Sequence, residues 1–198
     1  MRRLGGIPTV VAGIVFSLLS CSTMSGAATS TAKLKAEALT IHQMPKGWTA
    51  SVPRGDPRLG CLTSLMEPKG VTETHKVQVF FYGRSAYSLF DETISTYSSA
   101  ATAYKKIAAS IASCRKLQGL LDGFPVTGTV SRLSVPHYGN ASVAYSISLK
   151  GKTKTVKADY LIVRQGSVIL GILEGGYPSV NLTQFRSLAA QAVSKAKK

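Results

Sequence analysis

Three cysteines hold most of the chemistry open to this chain. Cys21 follows Leu18-Leu19-Ser20 at the end of an apolar run from Leu4 to Leu19, and Arg2 and Arg3 open that run. Two cations hold the cytoplasmic side of a membrane, and an apolar helix engages it. A small residue just ahead of a cysteine then exposes a thiol that can take a diacylglycerol. The pattern is a bacterial export signal ending in a lipobox. It predicts cleavage after residue 20, a diacylglycerol and a further acyl chain such as palmitate on Cys21, and anchorage at the extracytoplasmic face of the cell membrane. Ser25-Gly26-Ala27-Ala28 also offers small residues, so cleavage after Ala27 or Ala28, giving a secreted protein, stays open. A spanning helix wants about 20 apolar residues, and this run is shorter and holds Pro8, Gly5, Gly6 and Gly13.

With Cys21 assigned to lipid, Cys61 and Cys114 are left as a pair in an oxidising compartment, where a disulfide is expected. Closing a loop of that length is worth about 4 kcal/mol in the chain-entropy view. Zinc is a poor alternative: there is no CxxC, and His42, His75 and His137 stand apart without metal-ligand spacing.

Catalytic patterns are missing. No G-x-S-x-G presents a serine on a nucleophile elbow, and no H-E-x-x-H exists. Gly151-Lys152-Thr153 imitates the end of a phosphate-binding loop, but Ser146 stands where the leading glycine is needed. The adjacent acids Asp91 and Glu92 lie in a strand-like stretch, where neighbours point to opposite faces. The sequence therefore predicts no enzyme, no catalytic residue, no metal and no cofactor.

Lys and Arg number 24 against 9 Asp and Glu, for a net charge of +15. Such a field favours anionic partners: phospholipid headgroups or phosphate-bearing wall polymers. Nucleic acid is not expected, since no recognition motif is present and an exported chain rarely meets it. Bases cluster at Lys150, Lys152, Lys154 and Lys157, and again at Lys195, Lys197 and Lys198. Either group reads as a solvated turn or frayed helix end, or as an anion site. Trp48, the His137-Tyr138 pair, and Tyr82, Tyr87, Tyr97 and Tyr104 can line a groove or simply pack. No ligand-binding residue is assignable from sequence, and the sequons at Asn140 and Asn181 carry no weight behind a bacterial leader.

The positioning elements read as mixed α and β. Residues 21–36 form the lipid-bearing cysteine and a Ser/Thr/Ala/Gly-rich tether, and residues 37–198 one domain. A short helix is expected over 34–41, an extended piece over 49–52, and a short helix carrying Cys61 over 58–65. Strands over 76–82 and 87–96 form a hairpin. A helix over 98–117, capped by Ser98 or Ser99, places Tyr104, Ile107, Ala108, Ile111 and Cys114 on one face. Strands over 127–135, 143–150, 155–164 and 168–173 follow. The last is apolar on both faces and so central. A helix over 181–195 carries Phe185, Leu188, Ala189, Ala192 and Val193 as its packing stripe. The expected fold is α+β: an antiparallel sheet of about five or six strands with two main helices on one face.

Some of these stretches are familiar. Pro45-Lys46-Gly47-Trp48-Thr49 after a short Ala/Leu helix, the helix ending at Cys114, Leu133 to Tyr145, and Asp159 to Val168 resemble segments of actinobacterial lipoproteins related to PknH-like extracellular sensor domains of mycobacterial kinases. The resemblance covers about 36–195. It implies a single α+β domain with a groove between sheet and helices, acting as an extracytoplasmic sensor or ligand-binding module. The chain departs from the kinase domain in having one available disulfide instead of two and no attached kinase, so signalling would pass through another envelope protein. The expected function is a lipid-anchored, non-catalytic module for a small or lipidic, anionic ligand. Its rival is a structural or adhesive envelope protein that binds wall polymer or headgroups through its basic surface.

Overall fold

The structure, a computed structural model, describes residues 30–52, 59–63, 65–85, 87–121 and 123–197. Cys21, the leader and most of the tether lie outside them, as do residues 53–58, within the loop and short helix expected there. Among the described residues, eight strands form one antiparallel sheet. In chain order they are β1 (Thr49–Ser51), β2 (Glu73–Tyr82), β3 (Leu89–Tyr97), β4 (Lys116–Leu121), β5 (Phe124–Leu133), β6 (Ala141–Lys150), β7 (Thr155–Gln165) and β8 (Val168–Gly176). Their order across the sheet is β1-β2-β3-β8-β7-β6-β5-β4. Three helices accompany them: α1 (Thr31–Glu37), α2 (Ala100–Ser113) and α3 (Leu182–Lys195).

Local chemistry sets the helix starts. Ser99 and Asn181 accept from the amides of Thr102 and Gln184, capping α2 and α3. Ser30 does the same for Lys33 at α1, which begins inside the stretch assigned to the tether and buries Leu34 completely. The expected helix over 34–41 is instead α1 followed by a 3₁₀ turn, Ile41–Gln43, where the Gln43 side chain accepts from the Thr40 amide at 2.8 Å. Around Cys61 only a 3₁₀ turn forms, Gly60–Leu62.

Two expectations need correction. The sheet has eight strands, not five or six. The surplus includes β4, which occupies the tail of the helix expected over 98–117. That helix ends at Ser113 because Cys114 turns out of it to bond Cys61, and the next residues pair with β5, setting Leu117 against Gly128. The main helices also do not share a face. On one side Phe90, Ile94, Leu161, Leu170 and Ile172 pack against Phe185, Leu188 and Ala192 of α3 and Leu34 of α1. On the other, Val143, Tyr145, Ile162 and Ile169 pack against Ala103, Ile107 and Ile111 of α2. Successive residues of β7 and β8 alternate between the two cores. β8 is fourth of the eight strands, with apolar residues on both faces. A sheet apolar on both faces needs a cover on each.

Candidate functional site

Helix α2 covers only part of its face. The remainder is the floor of an open cleft of about 730 Å³, within the range typical of small-molecule sites. Cross-strand rows define that floor. Leu89 of β3, Gly175 of β8, Ala158 of β7 and Ile147 of β6 stand opposite one another in sequence, and the next row holds Phe80, Asp91, Leu173 and Tyr160. Ala158 keeps the floor low, while at Gly175 a Cβ would stand 2.9 Å from Leu89 Cγ, so the Leu89 side chain lies over that glycine. At Gly171 a Cβ would stand 2.6 Å from the Tyr160 hydroxyl and 3.2 Å from the Met66 sulfur, so those two side chains close over the glycine.

One wall is the segment from Leu59 to Thr72, which crosses the sheet face and contributes Leu59, Leu62, Leu65 and Met66. Among its described residues the one element is the single 3₁₀ turn Gly60–Leu62, so covalent and polar ties hold it. Cys61 is disulfide-bonded to Cys114 at the end of α2, with a Cα–Cα distance of 5.7 Å. The buried Tyr97 hydroxyl donates to the Met66 carbonyl. Lys106 of α2 donates to the Lys69 carbonyl at 2.6 Å, and the Thr72 amide to the Ser98 hydroxyl at 3.3 Å. Leu120, Leu121 and Gly123 of the β4–β5 hairpin continue the lining from β4, which lies against the Gly60–Leu62 turn of that segment, and Tyr82 and Tyr87 stand at the β2–β3 side.

Polar groups in the lining are few. Asp91 accepts from Gln78 at 2.8 Å, and Glu67, Lys76 and Lys157 lie in the lining as well. Burial pushes the Tyr97 and Tyr160 hydroxyls well above the usual phenol range, with the nearby charges of Glu73 for Tyr97 and Asp91 for Tyr160 adding to it, so both stay protonated. The surface suits apolar contact. Among the described residues no group of three His, Cys, Asp or Glu could hold a metal ion.

The acids most altered by the fold lie on the opposite face. Glu92, adjacent to Asp91, points into the α1–α3 core, where burial raises its carboxyl to about 7 against the pull of the Leu39 amide and Lys195. Glu174 faces Asp159 across β7 and β8; burial raises it to about 8, and Asp159 adds to this. Asp159 is raised as well, by burial, and accepts from Ser146 at 2.7 Å. Glu174 accepts from Gln184 at 2.8 Å. The other carboxyl oxygens of Glu92 and Glu174 are buried without a hydrogen-bond partner.

The residues marked in the sequence divide accordingly. Cys61 and Cys114 are joined, while Cys21 lies outside the described residues. Tyr82 and Tyr87 line the cleft, Tyr97 braces its wall, and Tyr104 stays on α2. Trp48 packs against the α1–α3 core. Tyr138 does too, and His137 beside it is exposed. Neither residue of that pair reaches the cleft. Lys150, Lys152 and Lys154 cluster at the β6–β7 turn, whereas Lys157 bonds the Ser148 hydroxyl at 2.8 Å. Lys195 donates to the Ala38 carbonyl on the far face. The floor residues Ala158, Gly171 and Gly175 escaped sequence reasoning. Their signal was present: glycines at 171 and 175 fall on one face of a strand with Leu173 between and Ile169 beside them, a mark of close backbone approach.

Among the described residues no helix is long and apolar enough to cross a membrane. No family model and no curated protein matches the sequence. Among solved structures, the chain is similar to the extracellular domain of PknH from Mycobacterium tuberculosis, with a TM-score of 0.61 and 12% identity over 85% of this chain and 97% of that one. At that identity the likeness is one of fold: an α+β domain of the kind seen in that extracellular domain.

Proposed function

We propose that this chain is an extracytoplasmic, lipid-anchored binding module that holds a small apolar or lipidic ligand in its cleft and performs no chemistry. The observation that carries this reading is the open apolar floor of about 730 Å³ beside α2. A soluble domain rarely leaves so much of a sheet face uncovered without a use for it. The fold likeness to an extracellular domain and the leader ending at Cys21 support the location. Native mass spectrometry of the full chain, purified from a bacterial envelope, tests the reading. We expect a co-purifying molecule that is absent from Ala158→Trp, a substitution that fills the floor. A bare chain in both samples would overturn it.

The net charge of +15 favours a second reading, adhesion to anionic wall polymer. Salt separates the two: adhesion through exposed lysines falls steeply with ionic strength, and burial of an apolar ligand does not.

A further inference from the structure

The cleft is polarised along its strands. Its central row is apolar, with Leu89, Ala158 and Ile147 around Gly175. Toward the β6–β7 turn that surface ends at Tyr87 and Tyr177, whose ring centroids lie 6.1 Å apart. Lys154 reaches over both, its Nζ 5.7 Å from the Tyr87 centroid and 5.4 Å from that of Tyr177. Lys154 precedes Val156 by two residues, so it extends the same face of β7, and Val156 and Tyr87 both line the cleft.

Two features mark this end as more than a solvated turn. Tyr87 has φ of 66°, a costly conformation for a bulky residue, and it keeps an exposed aromatic ring at the rim. The two rings also restrain an ammonium that would otherwise move freely in water. Lys150 and Lys152 of the same turn are exposed, and residues 150–157 contain no acid. The acids of the lining, Asp91 and Glu67, lie away from this end: Asp91 pairs with Phe80 of β2 and accepts from Gln78, and Glu67 belongs to the covering segment.

We propose that the cleft takes a single-chain amphiphile with an anionic head, the head meeting Lys154 at the tyrosine pair and the tail lying over Ala158, Leu173 and Ile147 toward Met66. This rests on the reading of the cleft as the binding site and adds the ligand's class and direction. A cationic head would have to displace Lys154 from the two rings. A wholly polar ligand would find no row of hydrogen-bonding groups along the central floor.

The test uses the full chain and three fluorescent probes of one tail: cis-parinaric acid, its methyl ester, and the same polyene ending in trimethylammonium. We expect saturable binding of the acid at one equivalent, about tenfold weaker in Lys154→Gln, with the ester's affinity unchanged by that substitution. Ala158→Trp should abolish binding of both. Leu120→Glu, at an exposed rim position, should weaken both several-fold with circular dichroism unchanged, so the result does not depend on one buried substitution. Equal affinity for acid and ester, indifferent to Lys154→Gln, overturns the head-group assignment while the cleft variants still report on the site. Preference for the trimethylammonium probe, increased in Lys154→Gln, overturns it by making the tyrosine pair a cation cage. Acid binding that ignores both Ala158→Trp and Leu120→Glu removes the cleft itself.

Discussion

The Leu39 amide donates to the Glu92 carboxylate at 2.7 Å, so a charge-capable group in the middle of β3 holds the chain just after α1. The other carboxyl oxygen of Glu92 has no partner in that core. Folding therefore favours the protonated acid, and the same holds for Glu174. Relative to an ordinary value of 4.5, both carboxyls bind their proton more tightly in the folded state. The stability they contribute is full below about pH 4.5 and is lost as pH rises, through about 7 for Glu92 and about 8 for Glu174. The melting temperature should fall by roughly 5 °C between pH 5 and pH 8.5. Glu92→Gln should flatten that slope up to about pH 7 and leave the loss above it, whereas Glu174→Gln should flatten it over the whole range up to about pH 8. A melting curve that rises over this range in the parent protein would contradict the assignment.

The disulfide spans 53 residues of sequence. Removing it as Cys61→Ser with Cys114→Ser should cost about 4 kcal/mol in chemical denaturation. Because the bond anchors the cleft wall, protease cleavage between Leu59 and Thr72 should accelerate before global unfolding does.

Tyr97→Phe removes the hydroxyl that donates to the Met66 carbonyl. A buried carbonyl left without its donor costs about 1–3 kcal/mol. The substitution leaves the ring in place, so hydrogen exchange should quicken in the Leu59–Thr72 segment and stay unchanged in α3. Uniform destabilisation across both cores would argue against a local brace.

Gly171→Ala puts a methyl where the Tyr160 hydroxyl already stands. Overpacking of this kind costs about 1–3 kcal/mol. Relief must come from Tyr160 or Met66 moving toward the open side, so cleft volume should shrink along with melting temperature. A neutral substitution would mean that Gly171 does not limit the floor.

Much of this architecture is legible from periodicity. The β2–β3 hairpin, the meander from β6 to β8 and the stripes of α2 and α3 all announce themselves. β4 does not, because Lys116 to Leu121 contains a glycine and continues a helical stripe; its strand state comes from pairing with β5 once Cys114 has left the helix. Helix amphipathicity says that one face is apolar but not which side of a sheet it meets. The residue that carried that information was the strand itself: Val168 to Leu173, apolar on both faces, demands cover above and below. The cleft was hidden for a different reason. It is made by small residues and by the incomplete reach of α2, and neither leaves a motif.

Ser30 leads into α1 on the side of the sheet that carries α3, and Lys195 closes against Ala38 on that same side. A lipid, a resin or a fusion partner attached ahead of Ser30 therefore grips the domain from behind, as does a tag placed beyond Lys195. The mouth of the cleft points the other way. Chain immobilised through either end should therefore leave the cleft open to molecules arriving from the medium.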